Sequence, residues 1–186
     1  YFLKNKNIIK IDSLGNYFAD LQGDYELVKK YFEKIINEKK LFKLQNYNFD
    51  NVIGIHIRSG DYKNTCWFTG FDFYLKMIQK IKSIFGNKYV FYIYTDANNK
   101  ELKDILSING VQKVFFGNAL ADMVALSKSK LIIASDSTFS GMSAFLNQIP
   151  IIFPKRHFGE VLKNKEKEFL YDKNEDSLEM FLLKIL

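Results

Sequence analysis

Histidine, cysteine and proline are nearly missing from this chain: two, one and two residues among 186. The single cysteine, Cys66, excludes an intramolecular disulfide and a zinc cluster of cysteines. It fits a reducing compartment. With no export signal near Tyr1, a cytoplasmic location is expected. With two histidines and no acid pair or histidine cluster at metal-ligand spacing, no metal is expected. The prolines are Pro150 and Pro154, so the interior has few breakers. No apolar stretch approaches the roughly 18 residues of a membrane-spanning helix, and no such helix is expected. Like charges never run beyond a pair, which argues against a nucleic-acid-binding tail. No repeat or low-complexity linker is present, and the missing initial methionine points to a piece of something longer.

Hydrophobic residues make up 47% of the chain and aromatics 16%, enough for a core. The net charge of +6, from 27 Lys and Arg against 21 Asp and Glu, favours an anionic partner. The length suits one domain, or one domain with part of a second.

The first fifty residues differ from the rest. "NIIKI" reads as a short strand. "GDYELVKKYFEKIINEKKLF" reads as a helix that Asp24 can cap, with Leu27, Tyr31, Ile35 and Ile36 on one face. From residue 52 strands and helices alternate. The strands are "VIGIHI", "KYVFYIYT", "VQKVFF", "KLIIAS" and, last, "IPIIFP". The helices between them are "FDFYLKMIQKIKSIF" ended by Gly86, "NKELKDILSI" capped by Asn98 or Asn99, "ALADMVALSKS", and "STFSGMSAFLNQ" capped near Ser137. The tail from residue 158 is expected to be helical. Oily strands alternating with helices predict an α/β fold: a doubly wound, mostly parallel, Rossmann-like sheet covered on both faces. Residues 51–186 form that domain, and residues 1–50 form a partial N-terminal helical segment.

Ligands of such sheets bind beyond the carboxyl ends of the strands. Polar clusters sit there. "HIRSGDY" ends the first core strand: Arg58 is a permanently charged fork suited to phosphate or carboxylate, and Gly60 permits close backbone approach. Alternation puts His56 and Arg58 on one face. Either can also be structural, His56 as a hydrogen-bonded core residue and Arg58 as a surface ion-pair partner. "SDSTFSG" places four hydroxyls and an acid where a strand meets a helix, and a helix N-terminus attracts anions. Ser137 and Thr138 can donate to phosphate oxygens there, although a plain N-cap needs only one of them. Asp96 reads as a helix cap, with contact to a ribose as the alternative, Asp122 as a first-turn acid complementing its helix dipole, and Tyr89, Phe91, Tyr92 and Tyr94 as strand packing. Cys66 has no assigned base and carries no cysteine chemistry. The residues together present a cationic fork and a helix N-terminus to an anion, for which a nucleotide or nucleotide sugar is the natural candidate.

"VIGIHIRSGDY" resembles the His-x-Arg-x-Gly-Asp-Tyr signature of the α-1,2-fucosyltransferases, glycosyltransferase family 11. "ADMVALSKSKLIIASDSTFSGMSAFLNQIPIIFPKRHF" is similar to that family's second block, "FYIYTDA" to the strand between the two, and "GNYFADLQGDYELVKKYFEKI" more weakly to the region before the signature. The resemblance covers residues 16 to 158 in order. It implies the donor-binding half of a GT-B fold and a metal-independent, inverting transfer of fucose from GDP-fucose to a glycan hydroxyl. It implies that Arg58 holds the β-phosphate, that His56 touches phosphate or guanine, and that Asp122 reads the guanine N1 and N2 donors. Ser137, Thr138 and Phe139 would meet the diphosphate, and Asp61 is the base candidate inside the signature or a support for the loop of Arg58. Three departures stand out. The family's N-terminal Gly-Leu-Gly-Asn-Gln block is absent, its paired Trp is replaced by Gly141 and Met142, and its Asn before Ser-Thr-Phe-Ser is Asp136, an added negative charge unless it points away. The competing expectations are a related enzyme with another guanine-like donor, a truncated or inactive nucleotide-sugar-binding module, and, last, a basic nucleic-acid binder.

Overall fold

The computed structural model describes residues 17–36, 41–44 and 46–186. The strand expected at "NIIKI" lies outside them. The described residues form an α/β fold around a six-stranded, all-parallel sheet. The strands are β1 (Val52–Ile57), β2 (Val90–Thr95), β3 (Val111–Lys113), β4 (Leu131–Ile133), β5 (Ile151–Phe153) and β6 (Glu168–Leu170). The helices are α1 (Phe18–Leu21), α2 (Tyr25–Ile35), α3 (Phe71–Phe85), α4 (Lys103–Leu106), α5 (Ala119–Leu126), α6 (Thr138–Asn147) and α7 (Glu175–Ile185). The spatial order β3-β2-β1-β4-β5-β6 is that of a doubly wound, Rossmann-like sheet. Its strand order reverses between β1 and β4, and there such folds open a crevice for ligands.

Every residue of β1 is buried, because helices cover both faces. Ile53, Ile55 and Ile57 pack with Tyr74, Met77, Ile78 and Ile81 of α3 and with Leu178 and Leu182 of α7. Each such buried isoleucine contributes about 1.5–3 kcal/mol. The opposite face, with Val52, belongs to the core of α5 and α6. Gly54 lies on that face, where a Cβ would come 2.3 Å from Leu126 Cδ1 and 2.6 Å from Ser129 Oγ. A side chain at this position would hold α5 away from the sheet. Tyr89, Phe91, Tyr92 and Tyr94 are all buried in the core, as strand packing predicts. The described part of the first fifty residues joins the same layer: Phe18, Tyr25, Leu44 and Phe49 share a core with Phe145 and Phe153.

Three local expectations are corrected. Of the expected face of α2, Leu27, Tyr31 and Ile35 are exposed and only Ile36 packs on the core, joined there by Val28 and Phe32. Both sets are apolar at helical spacing, and only packing decides between them. Asp24 stands at the N-cap of α2 but makes no side-chain capping bond. The segment after β5 is not helical throughout: Glu168–Leu170 adds a sixth strand beside β5, and the helix starts only at Glu175, capped by Asn174. Helix α3 ends at Gly86, whose positive φ of 60° suits glycine.

Candidate functional site

The carboxyl ends of β1 and β4 meet at the reversal of strand order, and the sequence-selected groups gather there. His56 is buried on β1 and faces α6. Its Nδ1 lies 2.7 Å from Ser140 Oγ and 3.0 Å from Ser135 Oγ, and its ring stacks on Phe139 with centroids 4.7 Å apart. Burial drives its pKa down to about 3, and the positive charge of Arg58 adds to this against the opposing pull of Asp96. The imidazole is therefore neutral near pH 7. It acts as a positioned polar group, not as a cation.

Arg58 comes two residues later, where β1 gives way to its loop. Its Nε donates to Asp61 Oδ1 at 2.8 Å and lies 3.8 Å from Asp96 Oδ2. The contact is made through Nε, and the two terminal NH2 groups make no hydrogen bond among the described residues. The hydrogen bond to Asp61 raises the arginine pKa further and lowers that of the exposed Asp61. A carboxylate held this way is a weak proton acceptor. Its chemistry here is to aim Arg58.

Asp96 does not cap the following helix. Its Oδ1 accepts the Ser59 backbone N–H at 2.8 Å, and Gly60 lies so close that a Cβ there would sit 2.7 Å from Oδ2. The end of β2 thereby clamps the loop after β1. Asn98 does not cap it either: its Oδ1 accepts from Lys100 and Glu101 N–H while Glu101 returns a bond to Asn98 N–H, which closes the turn before α4, and the N-cap of α4 itself, Leu102, makes no side-chain bond.

At the start of α6 Ser137 is the N-cap, its Oγ accepting from Phe139 N–H at 3.2 Å. Thr138 beside it is exposed and its hydroxyl is available. The first-turn N–H groups carry the positive end of the helix dipole toward the crevice. Asp122 lies in the first turn of α5, whose N-cap is Asn118. Asp122 Oδ1 accepts the Phe116 N–H at 2.7 Å, tying down the loop from β3, and burial raises its pKa despite that bond and Lys43 nearby. The fold therefore packs His56 against Ser135, Phe139 and Ser140, and it sets Arg58 and Asp61 at the end of β1 and Ser137 and Thr138 after β4 on the same carboxyl edge of the sheet. It places Asp122 one helix away on the same layer, a neighbour of α6.

Sequence reasoning placed Ser135 and Ser140 in the hydroxyl cluster without their contact to His56, and it missed His157. Asp136 is buried and accepts at Oδ1 from the His157 backbone N–H at 3.0 Å and from His157 Nδ1 at 2.7 Å. Its charge thus turns toward the loop after β5. The signal for His157 was positional: it follows Pro154, just beyond the carboxyl end of a parallel strand. Among the described residues no group of three His, Cys, Asp or Glu side chains is arranged to hold a metal ion, and no helix is long and apolar enough to cross a membrane.

Searches of protein-family models and of curated proteins find no match to this chain.

Proposed function

We propose that this chain binds a nucleotide sugar, GDP-fucose, at the crevice between β1 and β4 and transfers the fucose to a glycan hydroxyl with inversion. The observation supporting this reading is that Arg58, after β1, and the N-terminus of α6, after β4, both lie at the carboxyl edge of the switch point of a doubly wound sheet. That crevice is where such folds bind nucleotides, and both features favour a diphosphate. The resemblance of "HIRSGDY" and "SDSTFSG" to the α-1,2-fucosyltransferase blocks supplies the sugar and the base. In this reading the chain is the donor half of a GT-B enzyme, and residues 1–50 are the end of its acceptor-side region.

Arg58 binds the β-phosphate, with Asp61 and Asp96 fixing its direction. Thr138 and the first-turn N–H groups bind the diphosphate. Asp122 takes the guanine N1 and N2 donors on its carboxylate. Neutral His56, held by Ser135 and Ser140 and stacked on Phe139, offers Nε2 to the phosphate region. As the anomeric C–O bond breaks, negative charge grows on the β-phosphate and the sugar becomes oxocarbenium-like. Preorganised donors aimed at that charge contribute roughly 3–4 kcal/mol each, and no metal is invoked.

The commitment of Asp61 to Arg58 leaves the signature without a free base. That favours a second reading, a nucleotide-sugar-binding module without transferase activity. Calorimetry with GDP and GDP-fucose in EDTA, on the parent chain and on Arg58→Ala, tests what both readings share. Binding in EDTA that is lost in Arg58→Ala is expected. Absence of binding by the parent chain sinks both.

A further inference from the structure

We infer that Asp136 and His157 form an acid–imidazole dyad whose free nitrogen, His157 Nε2, accepts the proton of the attacking hydroxyl. The inference rests on the nucleotide-sugar reading and supplies the base that reading lacks.

Asp136 is 1% exposed, and both of the hydrogen bonds it receives come from His157. The 2.7 Å contact pairs a carboxylate acceptor with Nδ1 as the donor, as the backbone N–H of the same residue donates to the same oxygen. That fixes the tautomer and leaves the lone pair on Nε2. The His157 side chain is 27% exposed, so it combines a buried orienting partner with access to solvent. A carboxylate buried behind an imidazole orients the ring and stabilises the imidazolium that forms when Nε2 takes a proton.

The dyad is placed beside the crevice. Asp136 lies between Ser135, which contacts His56, and Ser137, the N-cap of α6. The His157 ring packs edge-on against Trp67 at 5.1 Å, and Trp67 belongs to the loop that Arg58 opens. Lys155 reaches the Cys66 carbonyl of that loop. The other side of His157 is also fixed: Arg156 is ion-paired with the half-buried Glu168 of β6, and Phe158 packs at 4.9 Å. The loops after β1 and β5 thus close on each other with the imidazole between them.

The step balances. The acceptor hydroxyl oxygen forms a bond to the anomeric carbon, its proton passes to Nε2, and the electron pair of the breaking C–O bond leaves on the β-phosphate of GDP. Water in place of the acceptor gives free fucose by the same transfers. His157 is the catalytic residue, and Asp136 is a positioning residue acting through it. Arg58 and the helix end stabilise the leaving group and do not compete for this role.

The test compares the parent with His157→Gln and Asp136→Asn. GDP affinity is followed by calorimetry, and turnover of GDP-fucose is followed with water and with a panel of glycan acceptors. The expected result is unchanged GDP affinity, a fall in kcat of about 10²–10⁴-fold in His157→Gln, a smaller fall in Asp136→Asn, and partial rescue of His157→Ala by added imidazole. A structural role for His157 would give no rescue. Nitrogen-15 NMR gives a second readout, because the chain has only two imidazoles. His157 should be the Nδ1–H tautomer in the parent and lose that bias in Asp136→Asn. Parent-like turnover in His157→Gln, no rescue, or a parent that binds GDP yet releases no fucose overturns the dyad and leaves nucleotide binding standing. A parent that binds no GDP removes the reading beneath it.

Discussion

The imidazole of His56 stacks on Phe139 with ring planes 29° apart, so a β1 side chain and the first turn of α6 share one contact. With Ser140 and Ser135 on Nδ1, that contact couples α6 to the strand that carries Arg58.

This contact makes stability depend on acid. In the unfolded chain the imidazole titrates near 6.5, and in the folded chain burial lowers the pKa to about 3. Between these values the unfolded state binds the extra proton. The stability from a neutral His56 is therefore complete above pH 6.5 and is lost as pH falls toward 3. At pH 4.5 the loss from this one group is roughly 2–3 kcal/mol. Urea unfolding at pH 7 and pH 4.5 should show it, and His56→Gln should flatten the difference. An equal acid sensitivity in that variant would mean that other groups carry it.

Much of this architecture is legible in the sequence because a parallel sheet writes itself as oily runs. "VIGIHI" and "KLIIAS" cannot be exposed on either side, and the polar residues at their ends can only lie at the ligand-binding edge. Legibility fails where two solutions have the same period. Leu27, Tyr31 and Ile35 on one side and Val28 and Phe32 on the other satisfy the same helical period up to Ile36, and the core beneath selects the second set. It fails again at Glu168–Leu170, where "EFL" is too short to carry a strand signal and pairs only because β5 offers an open edge. Partners far apart in sequence are the third failure. Asp96 looks like a cap from its own neighbours, and its actual work is on Ser59, across two parallel strands.

That clamp gives a second prediction. A methyl group at Gly60 would stand 2.7 Å from Asp96 Oδ2 and must displace the carboxylate. The carboxylate holds the Ser59 N–H and lies beside Arg58 Nε, so the guanidinium loses its direction. Gly60→Ala is expected to weaken GDP binding by about tenfold, equivalent to about 1.4 kcal/mol. Its thermal midpoint should change little, because the loop is not part of the core. Calorimetry and a melting curve on the same sample separate the two effects. Unchanged affinity would show that the clamp is not needed to aim Arg58.

The third concerns Gly141 and Phe18. A Cβ at Gly141 would meet Phe18 Cε2 at 2.6 Å and Cζ at 2.8 Å. The ring cannot swing away freely, since Phe145 and Phe158 pack on it at 6.0 and 5.6 Å. Gly141→Ala should cost about 1–3 kcal/mol by overpacking, and Phe18→Ala about 3–5 kcal/mol by leaving a cavity. In the double variant the new methyl enters space the ring has left, so the total should be less than the sum. A double-mutant cycle by denaturant unfolding measures this. Strict additivity would mean that the two residues do not share the space.

Arg58 itself is the last test, because charge and geometry can be separated there. Lysine keeps the positive charge but has no Nε to bond Asp61 and no second NH2 group for bidentate contact with phosphate. If the guanidinium binds a diphosphate as a directed fork, Arg58→Lys should weaken GDP binding by roughly 10–100-fold. Asp61→Asn retains an oxygen that can accept from Nε and removes only an exposed charge, so it should cost a few-fold at most. Raising the salt should reduce both affinities, because the arginine is partly open to solvent. The ratio between the two variants is the diagnostic. Arg58→Lys binding as tightly as the parent would mean that position 58 contributes only a point charge, and the crevice would then have to hold its anion through the N-terminus of α6 alone.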